Sequence, residues 1–77
     1  MNTQIPPPKY KYKIGVLIRA IEYPEIVYAD NLPQAISEVT RRVLKYEPNI
    51  KTWKTRLISE LDMTTMKYLR RGNGKFE

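Results

Sequence analysis

From Tyr10 the chain repeats every two residues. Tyr10, Tyr12, Ile14, Val16, Ile18 and Ala20 fall on one face of an extended chain, and Lys9, Lys11, Lys13, Gly15, Leu17, Arg19 and Ile21 on the other. This predicts a long half-buried strand whose second face begins polar and ends apolar. Lysines and tyrosines point apart, so their alternation reads as the outer end of a core strand rather than as one interleaved nucleic-acid platform. The stretch EYPE at 22–25 predicts a break, because proline fixes its own φ and biases the residue before it away from helix. Ile26, Val27 and Tyr28 then resume extended preference, and an antiparallel hairpin is the economical arrangement.

After Asn31 the period changes to three and four. Asn31 suits an N-cap, Gln34 stands at the capping-box position, and Pro33 occupies the first turn, where its missing N–H is harmless. A helix over about 32–46 follows, with Leu32, Ala35, Ile36, Val39, Val43 and Tyr46 forming one apolar stripe. Gln34, Ser37, Glu38, Arg41, Arg42 and Lys45 lie away from it, and Glu38 and Arg42 have the favourable four-residue offset. EPN at 47–49 ends the helix.

Residues 50–71 fit two periods. As a strand, Trp53, Thr55, Leu57, Ser59 and Leu61 alternate with Lys54, Arg56, Ile58 and Glu60; as a helix, Trp53, Leu57 and Leu61 stack at four-residue spacing. The β-branched Thr52, Thr55 and Ile58 favour a strand over about 51–60. Asp62 then caps a short helix over 63–71, with Lys67, Arg70 and Arg71 at its negative end and Gly72 just past it. Alternatively, Asn73 and Gly74 turn a last hairpin. The expected fold is a single α+β domain of order β-β-α-β with one main amphipathic helix on one sheet face and a short C-terminal helix. The third strand is expected to run parallel to a hairpin strand through a right-handed crossover.

Three consecutive prolines mark residues 1–8 as a flexible tail, leaving 9–72 as the domain and 73–77 as a C-terminal tail. At 77 residues a chain buries a modest core, so deep substrate pockets are not expected. Cysteine and histidine are both absent, which excludes thiolate and imidazole sites and leaves no cofactor or metal implied; a reducing cytoplasm is the default location. The longest apolar run, Ile14 to Ile18, is far too short to span a bilayer, and the N-terminus lacks a signal-peptide pattern.

Charge is placed unevenly. Residues 1–39 carry Lys9, Lys11, Lys13 and Arg19 against Glu22, Glu25, Asp30 and Glu38, so the formal +6 comes entirely from residues 40–77. Such asymmetry points to an acidic partner, nucleic acid first. Arg41, Arg42, Lys45, Lys54, Arg56, Arg70 and Arg71 are the expected phosphate contacts. Leu17, Ile21, Val27 and Trp53 are the expected partner-binding residues, the first three on a sheet face that no helix covers; a homodimer through that face is a further expectation.

Enzymatic chemistry has little to work with. Without histidine, acid–base candidates reduce to Glu22 with Glu25 and Glu60 with Asp62, and Ser37 and Ser59 have no base partner. The three glycines lack the strand, loop and helix order of a phosphate-cradling loop. A non-enzymatic accessory protein binding DNA or RNA is therefore expected. The strand, the stretch YADNLPQA at the helix start and the third strand resemble, in topology and over roughly half of the chain, small phage proteins that bind host RNA polymerase. That resemblance implies the alternative, a regulatory or inhibitory protein docked on a component of a host's transcription or replication machinery.

Overall fold

Arg19 and Ala20 turn the chain through two left-handed residues, with φ of +50° and +66°, and so close a two-residue hairpin in which Ile18 faces Ile21. The structure, a computed structural model, describes residues 7–72 and 74–76. Its elements are β1 (Tyr10–Ile18), β2 (Ile21–Ala29), α1 (Leu32–Tyr46), β3 (Lys54–Asp62) and β4 (Lys67–Arg71). One antiparallel sheet of order β2-β1-β3-β4 carries α1 on one face, a small α+β domain of order β-β-α-β-β among the described residues.

The hairpin turn comes earlier than EYPE suggests. Pro24 lies inside β2 opposite Gly15. Hydrogen-bonded and non-hydrogen-bonded pairs alternate away from the Ile18 and Ile21 pair, which puts Pro24 in a non-hydrogen-bonded position on an edge strand, where no ladder donor is required. The turn also resets the facing of β2. Ile21 joins the helix side with Ile18, and Val27 pairs with Tyr12 at 1% exposure in the core, so neither belongs to the uncovered face expected for them.

Helix α1 begins as the sequence predicts. The Asn31 side chain accepts from the Gln34 N–H at 2.9 Å, and the Gln34 side chain accepts in return from the Asp30 N–H at 3.0 Å, one residue further back than the capping box requires. Ala35, Val39 and Val43 are buried against Tyr12, Ile14, Val16, Val27 and Ala29, with Leu32 and Ile36 packed at the margin. Tyr46 leaves the stripe and is exposed. The helix lies over β1 and β2.

Strand β3 runs antiparallel to β1, Leu17 facing Lys54 and Tyr10 facing Asp62. It is parallel to β2 but separated from it by β1, so the expected parallel pairing does not form. A bulge sets Ile58 outside the register, which is why neither period fits the whole segment. Trp53 and Leu57 pack at the edge of the core.

The short C-terminal helix is replaced by β4. Asp62 does cap a turn, accepting from the Thr64 and Thr65 N–H groups at 2.8 and 3.2 Å, and its carbonyl accepts from Met66 at 2.7 Å. Met66 then adopts φ +59°, which stops helical propagation and turns the chain back along β3. The Gly72 N–H donates to the Ile58 carbonyl at 2.5 Å, guiding the chain on beside β3. Residues 1–6 of the expected proline-rich tail, and Asn73 of the alternative last turn, lie outside the described residues.

Candidate nucleic-acid interface

Because Tyr12, Ile14 and Val16 face the helix, Lys11, Lys13, Gly15 and Leu17 face away from it, and directly paired residues on neighbouring strands share that side. One row across the open face reads Tyr28, Lys11, Leu61, Tyr68, from β2 to β4. The next reads Ile26, Lys13, Ser59, Arg71. Lys11, Lys13, Ile26, Ser59, Leu61 and Tyr68 line a shallow depression of about 190 Å³. A second bulge, at Leu69, brings Tyr68 and Arg71 to the same side, and the Arg71 guanidinium lies 4.2 Å from the centre of the Tyr68 ring.

Among the described residues carboxylates are nearly absent from this face. Glu25 pairs with Ile14, Glu60 with Tyr12 and Asp62 with Tyr10, so all three point to the helix side; Glu38 is on α1, Glu47 follows it, and Asp30 follows β2. Glu22 alone among the described carboxylates shares the face, and Arg56 Nε and Nη2 donate to it at 2.6 and 3.0 Å. That bidentate hydrogen bonding holds the Glu22 carboxyl below the usual range. Lys11, Lys13, Lys54 and Arg71 join no ion pair among the described residues, so the face carries uncompensated positive charge.

The seven expected phosphate contacts do not form one patch. Arg41, Arg42 and Lys45 are on α1, behind the sheet. Arg41 hydrogen-bonds Glu38. Arg42 bridges Glu38 at 3.3 Å and Glu25 at 3.4 Å and donates to the Ile26 carbonyl at 2.8 Å, so it ties the helix to β2. Arg70 reaches the buried Glu60 at 3.2 Å on the helix side, where the Tyr12 hydroxyl also donates to that carboxylate. Lys54, Arg56 and Arg71 do share the open face, together with the N-terminal Lys11 and Lys13. Of the expected partner contacts only Leu17 is there; Trp53 packs against the core.

Sequence reasoning missed Tyr28, Tyr68, Lys11 and Lys13 as a group, having looked for interleaved rings and cations along one strand. They meet across strands instead. The alternation of Val27 and Ala29 with Ile26 and Tyr28 was the available signal for Tyr28, but Tyr68 depended on recognising β4.

Of the carboxylate pairs considered for catalysis, one is split between faces and the other is engaged elsewhere. Glu22 and Glu25 lie on opposite faces, Glu60 is engaged by Tyr12 and Arg70, and Asp62 caps its turn. A groove of about 350 Å³ between α1 and β2 presents Tyr23, Tyr46, Glu25 and Glu47, and both carboxylates are already met by arginine, Glu47 by Arg19 at 3.1 Å and Glu25 by Arg42. Among the described residues no group of three or more acidic side chains is placed to hold a metal ion, and no helix is long and apolar enough to cross a membrane. No family model, no curated protein and no solved structure matches the chain.

Proposed function

We propose that the protein is a small, non-enzymatic accessory protein that binds nucleic acid on the open face of its sheet. Lys11, Lys13, Lys54 and Arg71 contact phosphates there, while the two helix arginines, Arg41 and Arg42, engage carboxylates of the protein itself. The observation that carries this reading is the pair of rows in which Lys11 and Lys13 stand between Tyr28, Tyr68 and Arg71 with no unpaired carboxylate among them. Cations on a flat sheet with accessible rings match the chemistry of a polyanion whose bases stack. The test is a titration of the protein into fluorescently labelled DNA and RNA, single- and double-stranded, at two salt concentrations. Binding that weakens steeply with salt is expected, at a slope of about −0.7 to −0.9 per phosphate neutralised. No binding at low salt overturns the proposal.

A second reading is favoured by a specific feature, the exposed apolar surface of Ile26 and Tyr28 beside Met63, Met66 and Tyr68. On that reading the same face docks on a protein, and regulation or inhibition of a host machinery is the function. A complex recovered from host lysate that survives nuclease treatment supports it, and loss of every partner with nuclease removes it.

A further inference from the structure

We infer that the open face selects single-stranded over double-stranded nucleic acid, by taking one extended strand laid across the sheet with one base stacked on Tyr28 and another on Tyr68. This rests on the nucleic-acid reading above and narrows it to a ligand class.

The geometry is set by the sheet. Tyr28 is on one edge strand and Tyr68 on the other, in one row, with Lys11 and Leu61 between them. Three strand spacings, about 14 Å, separate the backbone positions that carry the two rings. Each residue is about half exposed, 53% and 49%, so both rings reach solvent at the ends of the row, Tyr68 with the Arg71 guanidinium over it. Stacked neighbours along one strand of a duplex are about 3.4 Å apart and cover each other's faces. Two rings some four times farther apart can each hold a base only when those bases have left their mutual stack and the backbone between them is drawn out. A duplex presents base faces only at its ends, so it can touch the lysines of this face but not both tyrosines.

Charge fits the same path. A backbone running from Tyr28 to Tyr68 passes Lys11, with Lys13 and Arg71 in the adjacent row. The Ser59 hydroxyl stands between those two, in the depression whose rim is Tyr68. Arg71 lies over the Tyr68 ring when no ligand is bound. A base arriving at that ring displaces the guanidinium, which swings to the incoming phosphate and keeps its positive charge at the site.

The experiment compares the intact protein with Tyr28→Ala, Tyr68→Ala and the corresponding Phe variants, by fluorescence anisotropy, on a labelled 12-nucleotide DNA strand, the same sequence as RNA, and both duplexes. Single strands are expected to bind at least about tenfold more tightly than duplexes. Each Ala variant is expected to lose at least about fivefold on single strands, with the salt slope and duplex affinity unchanged and affinity retained by Phe. Far-ultraviolet circular dichroism checks folding, which these exposed positions leave intact. The DNA and RNA arms identify which sugar is preferred. Duplex bound as tightly as single strand, or single-strand affinity indifferent to both Ala variants, overturns this inference and leaves the polyanion reading standing; failure of both to bind at low salt overturns the two together.

Discussion

Arg56 Nε donates to Glu22 Oε2 at 2.6 Å, a link from β3 to β2 that passes over the strand between them. Room for it comes from Gly15. A Cβ at that position would stand 1.9 Å from Glu22 Oε2, while the glycine's own φ is not left-handed, so space above the strand and not backbone freedom calls for glycine here. In a Glu22→Ala background, Gly15→Ala is expected to stabilise by about 0.4–1 kcal/mol, since alanine restricts the unfolded chain and the nearest atom left to its Cβ is the movable end of Ile58 at 3.2 Å. In the native background the gain shrinks, because the carboxylate must leave its bridge. Urea unfolding of the four proteins in this cycle measures the coupling. An equal effect of Gly15→Ala in both backgrounds would show that the glycine and the bridge are independent.

The β1–β2 and β3–β4 turns each contain a residue poorly suited to its conformation. Ala20 at φ +66° and Met66 at φ +59° carry a left-handed cost of about 1–2 kcal/mol, of which glycine's extra unfolded-state entropy takes back about 0.5–1 kcal/mol. Ala20→Gly and Met66→Gly are each expected to raise stability by about 0.5–1 kcal/mol. Gly72 is the opposite case. It has φ +83° and open space around its missing Cβ, so Gly72→Ala is expected to destabilise through backbone strain alone. Chemical denaturation that gives these three changes the same sign would contradict the turn geometry.

The facing of β2 can be checked with two neighbours. Val27 is 1% exposed beneath α1, whereas Ile26 lies on the open face at 38%. Val27→Ala is expected to cost about 2 kcal/mol through lost burial and a cavity, and Ile26→Ala no more than about 0.5 kcal/mol. The ranking of the two thermal midpoints decides the register, because a slip of one residue would exchange them.

This comparison also marks where the sequence stops being informative. The strand over Tyr10–Ile18 and the helix from Asn31 were legible because period two and period 3.6 each ran for many residues with a cap between them. The facing of β2 was not, since it depends on which residues accept positive φ, and neither Arg19 nor Ala20 announces that. Pro24 looked like punctuation, and only its place on an edge strand makes it harmless. At the C-terminus Asp62 was expected to cap a helix over 63–71 and caps only a single turn, because Met66 and the free edge of β3 turn the chain into β4. The candidate site suffered most. Its residues come from four strands, so its composition became visible only once the register was known.

Stability should fall at both ends of the pH range. Hydrogen bonds from arginine hold three carboxyls low, Glu22 by Arg56, Glu38 chiefly by Arg41 and Glu47 by Arg19. A depressed folded value means stabilisation that is present above the unfolded carboxyl range near pH 4 and is lost as pH drops through the folded values. At the alkaline end, burial first and then the hydrogen bond to Glu60 raise the Tyr12 hydroxyl. Its contribution is complete below the unfolded tyrosine value near 10 and disappears as pH climbs above it. Urea midpoints should therefore be level between about pH 5 and 9 and decline on either side. An absorbance titration should show Tyr12 ionising above the ordinary tyrosine value or together with unfolding, and a tyrosine signal with no late component would remove the alkaline branch.

Arg42 and Lys13 separate a fold-holding cation from a ligand-holding one. Arg42 donates to the Ile26 carbonyl at 2.8 Å and bridges Glu25 and Glu38 at 3.4 and 3.3 Å, so its charge is spent within the protein. Lys13 is exposed in the middle of the open face and engages no carboxylate among the described residues. Arg42→Ala is expected to lower stability by about 1 kcal/mol and to leave nucleic-acid affinity within about twofold of native. Lys13→Ala is expected to do the reverse, with a near-native urea midpoint and a salt slope reduced by about 0.7 to 0.9 as one phosphate contact is lost. Paired anisotropy and denaturation measurements on the two variants read both quantities. If Arg42→Ala weakened binding as much as Lys13→Ala while remaining folded, the ligand would lie across the helix, and the open sheet face would lose its claim to be the interface.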